Sequence, residues 1–322
     1  MGVTTQIIYS RRYDIGLLGL ERLHPFDSRK YSRAYGLLRR EFGSGLQRHV
    51  ASPTSATSVA ALLSVHSDAY LKQLKNSVYL ANALEVAPLK RLPASVIDWC
   101  VLRHMRWGTA GTILAMRRAM KHGLAVNLSG GYHHAKPDRG EGFCIYSDIA
   151  LAIHTVREER FISDTDRIAY IDVDAHQGNG VCHAFFDDPR VFIFDIFNSQ
   201  IYPVFDVKAR RRVDCAVPLT PETSDSDYLR ALESKLPSFL DSLTRNGTVG
   251  LAIYNAGTDI YAGDNLGGLS VSAEGVLRRD QLVLRGLVER GIPSVMLLSG
   301  GYSQESYRLV ASSVRWMLEM WN

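Results

Sequence analysis

Short apolar runs alternate with longer segments of helical periodicity along this chain, and this alternation restricts the fold more than any other feature of the sequence. Six runs rich in β-branched residues predict buried strands at Gln6–Tyr9, Leu124–Leu128, Arg167–Val173, Val191–Phe197, Val249–Tyr254 and Ser294–Leu298. Five segments predict helices at Arg106–His122, Asp148–Arg160, Ser226–Leu243, Ala273–Arg290 and Gln304–Met320. Such alternation is typical of a parallel sheet with helices on both faces.

The length and composition favour one domain. The chain has 322 residues, of which 46% are hydrophobic and 22% charged, and it contains no linker rich in Pro, Gly or Ser. We therefore expect a single catalytic domain over residues 1–322, with the α/β architecture of an open parallel sheet of about eight strands.

The charge, the cysteines and the N-terminal residues bear on the cellular compartment in which the protein is expected. No apolar run approaches the ~18 residues of a membrane span, and the first residues do not resemble a signal peptide. Four cysteines form no Cys-x-x-Cys pair, which fits free thiols in a reducing compartment. We expect an intracellular protein, cytoplasmic or nuclear. The net charge of +4 is too small to indicate direct nucleic-acid binding.

Polar side chains follow the predicted strands at the points where the strands end. Asp172, Asp174 and His176 alternate along the chain and therefore share one face of an extended segment. Two carboxylates and an imidazole on one face repel each other unless a cation or hydrogen bonds intervene. Zn²⁺ takes Asp and His ligands, and a catalytic site uses three of them. Asp259, which follows another strand, completes a predicted metal site with Asp174 and His176.

A tandem pair, His133 and His134, follows Gly130-Gly131 and precedes the glycines at 140 and 142. Neighbours in an extended segment point to opposite sides, so each imidazole needs its own partner to serve one site. A lone histidine is more often structural, but a pair within a glycine-rich turn favours catalysis. The tetrapeptide Ser-Gly-Gly-Tyr occurs at both 129–132 and 299–302, where glycine permits sharp turns or close approach to a ligand.

These motifs resemble the histone deacetylase superfamily, and most closely its class IV branch, with the arginase/deacetylase fold. The resemblance covers nearly the whole chain and rests on Leu23-His-Pro-Phe-Asp27, Gly130-Gly-Tyr-His-His134, Asp138-Arg-Gly140, Gly142-Phe-Cys144, Asp172-Val-Asp-Ala-His-Gln-Gly-Asn-Gly180, Ile201-Tyr-Pro203, Tyr254-Asn-Ala-Gly-Thr-Asp259, Gly263-Asp264, Leu266-Gly-Gly-Leu-Ser270 and Ser299-Gly-Gly-Tyr302. Gln177 and Asn179 are the class IV features, since class I enzymes usually carry His and Asp there.

The resemblance implies a zinc-dependent hydrolase that removes acyl groups from the side-chain amine of lysine in a protein or peptide. It implies catalytic roles for His133, His134, Tyr302, Asp172 and Asn179: the two histidines flank the attacking water, Asp172 and Asn179 are their partners, and Tyr302 donates to the oxyanion. A lysine tunnel lined by Gly142, Phe143 and Tyr202 is implied as well.

A structural potassium ion is also implied, at Asp172, Asp174, His176, Asp195 and Ile196. Class IV enzymes favour long fatty-acyl groups, so the resemblance implies the same preference here. It assigns no chemical step to His24 or Asp27.

Several alternatives remain open. Fe²⁺ suits an Asp-His-Asp site as well as Zn²⁺ does. An arginase-like enzyme on the same fold needs two manganese ions, but Gln177 and Gly178 leave too few ligands for a second one. A non-enzymatic acyl-lysine reader would be expected to lose a metal ligand or Tyr302. An acetylpolyamine deacetylase keeps the chemistry and is usually distinguished by an acidic residue at the rim, for which the sequence offers no obvious equivalent.

Overall fold

A computed structural model describes residues 2–16, 19, 21 and 25–322 of the chain. Eight strands occur in these residues: β1 Thr4–Ile8, β2 Val50–Ala51, β3 Gly123–Asn127, β4 Arg167–Asp172, β5 Val191–Asn198, β6 Cys215–Leu219, β7 Val249–Asn255 and β8 Ser294–Leu297. They form one sheet in the order β2-β1-β3-β8-β7-β4-β5-β6, and every pairing is parallel.

The predicted sheet of about eight parallel strands is therefore confirmed, and all six predicted strands lie in it. The two strands absent from the prediction are at the edges. β2 has only two residues, which leaves no periodicity to detect. β6 contains Pro218, which lacks an N–H donor and is tolerated on an edge strand.

Within the same described ranges, twelve α-helices connect and cover the strands: α1 Lys30–Phe42, α2 Val59–Leu62, α3 Asp68–Gln73, α4 Ser77–Ala83, α5 Ala94–Ile97, α6 Arg103–His122, α7 Asp148–Glu158, α8 Asn179–Ala184, α9 Val207–Arg212, α10 Asp225–Arg245, α11 Ala273–Glu289 and α12 Ser306–Met320. Five of them, α6, α7, α10, α11 and α12, correspond to the predicted helices. The other seven were not predicted: α1 has 13 residues, and the remaining six have four to seven residues each. No helix among the described residues is long and apolar enough to cross a membrane.

Alternating side chains of the strands enter two cores on opposite faces of the sheet. On β4, Ile171 packs in the core that includes buried side chains of α1, α10, α11 and α12, whereas Ile168 packs in the core under α6, α7 and α8. Helices thus cover both faces, as predicted. A third apolar cluster lies under α3, α4 and α5, next to the start of α6.

The carboxyl ends of β3, β8, β7 and β4 lie side by side in the sheet. Ligand sites of open α/β sheets form at this edge. The polar motifs identified in the sequence follow these four strands directly, so the fold brings residues from four distant parts of the chain together. Leu23 and His24 of the first motif lie outside the described residues.

Candidate active site

Asp174, His176 and Asp259 form a buried cluster at this edge, with one donor atom of each within 4.8 Å of the others. Nδ1 of His176 lies 2.8 Å from Oδ2 of Asp259 and 3.1 Å from Oδ1 of Asp174. Burial and the charge of Asp174 raise the pKa of Asp259 to about 7. Two buried carboxylates and one imidazole match the ligand chemistry of Zn²⁺ or Fe²⁺, so this donor set fits a divalent metal ion.

Two glycines allow the backbone to approach these carboxylates closely. A Cβ atom at Gly257 would lie 2.1 Å from Oδ2 of Asp174, and one at Gly300 would lie 2.6 Å from the same oxygen. The backbone N–H of Gly300 donates to Oδ2 of Asp174 at 2.8 Å. Glycine is thus required here because any side chain would displace a candidate metal ligand.

His133 lies beside the cluster and is held by Asp172. Its Nδ1 donates to Oδ2 of Asp172 at 2.8 Å, and the Asn255 amide donates to the other oxygen of the same carboxylate at 3.0 Å. Burial lowers the pKa of His133, but Asp172 and Asp174 more than offset this and raise it to about 9. His133 is therefore the cationic member of the histidine pair at neutral pH.

His134 lies 4.0 Å from His133 between ring centroids, and its environment is different. Its Nδ1 is 2.8 Å from Oδ1 of Asn179, an uncharged partner. Burial and the charges of His133 and His176 hold the pKa of His134 well below its ordinary value. His134 is thus neutral near pH 7, which is the state that a general base requires.

Tyr302 faces the same region from the loop after β8. Its ring centroid lies 6.0 Å from that of His176, and its backbone N–H donates to Oδ2 of Asp264 at 2.6 Å. Asp264 also accepts hydrogen bonds from the N–H groups of Leu266 and Gly267, so one carboxylate joins the loop after β7 to the loop after β8.

An entrance tunnel of about 230 Å³ leads from the surface to these residues. Gly142, Phe143 and Tyr202 line it, together with His134, His176, Tyr302, Glu85, Ile201 and Leu266. A Cβ atom at Gly142 would lie 2.5 Å from the His134 ring, so the tunnel wall packs directly on the histidine.

A smaller inner cavity of about 30 Å³ shares His134, Gly142, Phe143 and Tyr302 with the tunnel. Its wall combines glycine backbone at 130, 131 and 300 with the apolar side chains of Ile15, Phe26 and Met105. The space suffices for one or two water molecules or a short acyl group.

Asp172 and Asp195 form a second polar centre, on the neighbouring strands β4 and β5. Oδ2 of Asp195 accepts from the N–H of Gly178 at 3.0 Å, but Oδ1 is buried without a hydrogen-bond partner in the described part of the chain. Burial and Asp172 raise the pKa of Asp195 well above its ordinary value. A buried oxygen without a donor fits a bound cation. Ile196 follows Asp195 in β5, with its side chain in the core.

Several residues near the site were not singled out from the sequence. Lys30 is fully buried and donates to the carbonyls of Ser299 and Gly300 at 2.7 and 3.0 Å. Glu85 is an acidic residue at the tunnel mouth. Lys136, Glu141 and Asp206 lie behind Asn179. The backbone of Glu85 has a φ of +56°, which is uncommon for a residue other than glycine. The amino-acid sequence around Glu85 does not predict this conformation.

Asp27 has a local structural role. Its carboxylate accepts from the N–H of Arg29 at 3.0 Å and pairs with Arg33 at 2.6 Å, directly before α1. It therefore orders the chain before the helix that carries Lys30.

Comparisons with known proteins agree with this geometry. The model of the histone deacetylase domain matches residues 24–318. Histone deacetylase 2 of Arabidopsis thaliana is 44% identical over 308 residues, which cover 96% of this chain and 77% of that protein. Histone deacetylase B of Dictyostelium discoideum is 26% identical over 317 residues, covering 93% and 70%.

The crystal structure of the HDA15 HD domain matches the fold with a TM-score of 0.75 at 17% identity, covering 99% of this chain and 89% of that chain. The eight-stranded parallel sheet is therefore the sheet of the arginase/deacetylase fold. Since the family model spans most of the sequence, the chain belongs to the histone deacetylase family.

Proposed function

We propose that this protein hydrolyses the amide bond of Nε-acyl-lysine in a protein or peptide substrate, as a metal-dependent lysine deacylase. The observation that carries the proposal is the buried Asp174-His176-Asp259 cluster, whose His176 lines the tunnel together with His134 and Tyr302. Such a tunnel suits a long, unbranched side chain with its scissile bond at the tip.

Asp174, His176 and Asp259 are the proposed metal ligands, with Zn²⁺ as the metal and Fe²⁺ as the alternative. When bound there, the ion supplies Lewis acidity toward the amide carbonyl and the attacking water. We further propose that the polar centre at Asp172 and Asp195 holds a structural K⁺, together with Asp174, His176 and Ile196. The unsatisfied oxygen of Asp195 supports this.

Three side chains act on the reacting atoms in this proposal. His134, neutral at pH 7 and with Asn179 as its partner, removes a proton from the attacking water and then returns it to the nitrogen of the leaving lysine amine. His133, cationic beside Asp172, stabilises negative charge in the transition state. The Tyr302 hydroxyl donates a hydrogen bond to the developing oxyanion, a contact worth about 3–4 kcal/mol in comparable sites.

We also propose that long fatty-acyl groups are preferred over acetyl. Each buried methylene contributes up to about 0.8 kcal/mol, so even part of a myristoyl chain would raise kcat/KM substantially. The inner cavity offers an apolar wall, but its 30 Å³ holds only a short group. A long chain therefore requires Ile15, Phe26 or Met105 to move aside. The small volume favours acetyl as the alternative substrate.

The proposed catalytic unit is a single domain over residues 1–322, since the family model reaches from 24 to 318 and strands from both ends of the chain pair in one sheet. An intracellular location is proposed with it. All four cysteines are free, which suits a reducing compartment.

The test is a peptide series with acetyl-, octanoyl- and myristoyl-lysine, assayed with zinc-loaded protein and with the His176→Ala variant. We expect hydrolysis by the wild type, none by the variant, one catalytic metal ion per chain, and the highest kcat/KM for myristoyl. If acetyl is the best of the three, the long-chain preference is wrong. Two metal ions per chain at this site, or equal activity of the variant, would contradict the deacylase proposal itself.

A further inference from the structure

A polar cluster lies directly behind His134, on the side away from the candidate metal ligands. We call it the Asn179 cluster, and it consists of Asn179, Glu141, Asp206 and Lys136. Nδ2 of Asn179 donates to Oε1 of Glu141 at 2.6 Å and to Oδ2 of Asp206 at 3.1 Å. Nζ of Lys136 lies 2.8 Å from each of the same two carboxylate oxygens. None of these contacts involves a candidate metal ligand.

The two carboxylates determine how the Asn179 amide is oriented. Their oxygens only accept hydrogen bonds when ionised, so the amide NH₂ must face them. The opposite orientation would place the amide oxygen 2.6 Å from a carboxylate oxygen of Glu141, which is repulsive. The amide oxygen is therefore directed toward Nδ1 of His134, at 2.8 Å.

One positive charge in the cluster lies against two carboxylates. Lys136 is only 4% exposed, and it neutralises one of the two carboxylates that it bridges. His183 lies 3.0 Å from both oxygens of Asp206. Although burial raises the pKa of Asp206, its hydrogen bonds with Lys136 and His183 hold that pKa well below the ordinary value. Asp206 is therefore ionised and remains a hydrogen-bond acceptor throughout the neutral range.

We propose that Glu141 and Asp206 are positioning residues that fix the tautomer of His134 through the Asn179 amide. An amide oxygen accepts a hydrogen bond, so Nδ1 of His134 must carry the proton and Nε2 must keep the lone pair. The inference rests on the proposed function in one respect: this tautomer is the one that a base acting through Nε2 requires.

The arrangement replaces a direct carboxylate partner with a polarised amide. A carboxylate against His134 would fix the same tautomer but would also favour the imidazolium form. Here the negative charge lies one residue further away and is offset by Lys136. The Asn179 cluster thus fixes the proton of His134 on Nδ1 without favouring the imidazolium form. The tautomer of His134 and its net charge are therefore set by different interactions.

The first test is the tautomer itself, measured by long-range ¹H–¹⁵N correlation spectra of zinc-loaded, ¹⁵N-histidine-labelled protein at pH 7.5, with the His134 signals assigned from the His134→Gln variant. We expect a protonated Nδ1 and an unprotonated Nε2 for His134. A protonated Nε2 would overturn the inference. This measurement needs no substrate. If the protein proves to have no deacylase activity, the proposed function is contradicted, but the measured tautomer of His134 still tests this inference.

The second test compares Glu141→Ala with Glu141→Gln, which retains an acceptor oxygen. We expect Glu141→Ala to shift the His134 nitrogen signals toward a mixture of tautomers. Its kcat should fall about tenfold with little change in KM, short of the ~10⁴-fold loss that a fully inverted tautomer can cause. Glu141→Gln, in contrast to Glu141→Ala, should show the wild-type His134 signals and retain most of the wild-type kcat.

Asp138→Ala is the matched control, because it removes a carboxylate from the same turn. The Asp138 side chain is 70% exposed and lies 3.9 Å from the Arg139 guanidinium. This control should leave spectrum and kcat unchanged. The inference fails if Glu141→Ala alters neither the His134 signals nor kcat, or if the control alters both equally. Should Glu141→Ala not fold, the wild-type spectrum still decides the tautomer.

Discussion

The backbone N–H of Gly300 donates a hydrogen bond to Oδ2 of Asp174 over 2.8 Å, and this contact joins the loop after β8 to the loop after β4. Tyr302 lies two residues beyond Gly300. A substitution of Asp174 therefore disturbs the proposed metal site and the Tyr302 loop together, and its effect on activity cannot be divided between them. Variants of Tyr302 and Gly257 separate the two contributions.

Tyr302→Phe removes only the phenolic hydroxyl. Because the proposed role of that hydroxyl is a hydrogen bond made in the transition state, we expect kcat to fall by about 10²–10³ with little change in KM. Metal content, measured by plasma mass spectrometry, should stay at the wild-type level. A large rise in KM with normal kcat would instead make Tyr302 a substrate-binding residue.

Gly257→Ala perturbs a metal ligand without changing any ligand. The added Cβ would lie 2.1 Å from Oδ2 of Asp174, so we expect zinc affinity to fall about 10–100-fold, as it does when groups that orient ligands are altered. Affinity is measured by competition with a chromogenic chelator. Gly286→Ala in α11 is the control, since its nearest neighbour lies at 3.5 Å. Equal affinity of the two variants would show that Asp174 does not bind the metal.

The pH dependence of kcat/KM tests the partner of His134. Burial and the charges of His133 and His176 hold the pKa of His134 below its ordinary value, so the wild type should stay active into mildly acidic solution. Asn179→Asp places a carboxylate against His134 and raises that pKa. Since the base must be deprotonated to act, the acid limb of the profile should move to higher pH, by about one unit or more.

Glu141 complicates that substitution, because a new carboxylate at 179 would face Glu141 and share a proton with it. The cleaner variant combines Asn179→Asp with Glu141→Gln, and it should show the larger upward shift. Glu141→Gln alone should leave the limb near its wild-type position. If the limb of the double variant is unmoved or lowered, then residue 179 does not act on the base.

Glu85 at the tunnel mouth should contribute to substrate choice. For peptides with Lys or Arg beside the acyl-lysine, and for acetylated polyamines, we expect Glu85→Gln to lower kcat/KM by up to about fivefold, because an exposed ion pair contributes at most about 1 kcal/mol. Peptides with neutral neighbours should be unaffected. Glu289→Gln, at the far end of α11, is the control. A uniform loss for all substrates would argue for a structural role.

The central strands were predictable from the sequence because burial on both faces requires continuous apolar runs, as in Ile168–Ile171 of β4. The spacing of Asp174 and His176 predicts a shared face of an extended segment, but β4 ends at Asp172 and the chain bends at 174–176, so the fold brings the two side chains together in another way. The two edge strands could not be predicted, because β2 has only two residues and β6 contains Pro218, which is atypical of a strand.

The residues behind His134 could not be predicted from local sequence patterns. Asn179 was identified as a partner only through the family resemblance. Glu141 and Asp206 lie 38 and 27 residues from Asn179 along the chain, and no pattern in the sequence links them to it. Lys136 looks like an ordinary surface lysine, and only the fold reveals that two carboxylates enclose it. Contacts of this kind depend on how loops meet after the sheet has formed.

The order of strands also determines when the proposed metal site can exist during folding. β3 and β8 are hydrogen-bonded neighbours, although β3 ends at Asn127 and β8 begins at Ser294. Pairing of such distant segments is slow, because chain entropy is lost before the contacts form. Asp174 and Asp259 converge only after β4 and β7 have paired. Metal uptake should therefore follow assembly of the sheet, and an N-terminal fragment released during synthesis would carry neither the site nor the affinity for zinc.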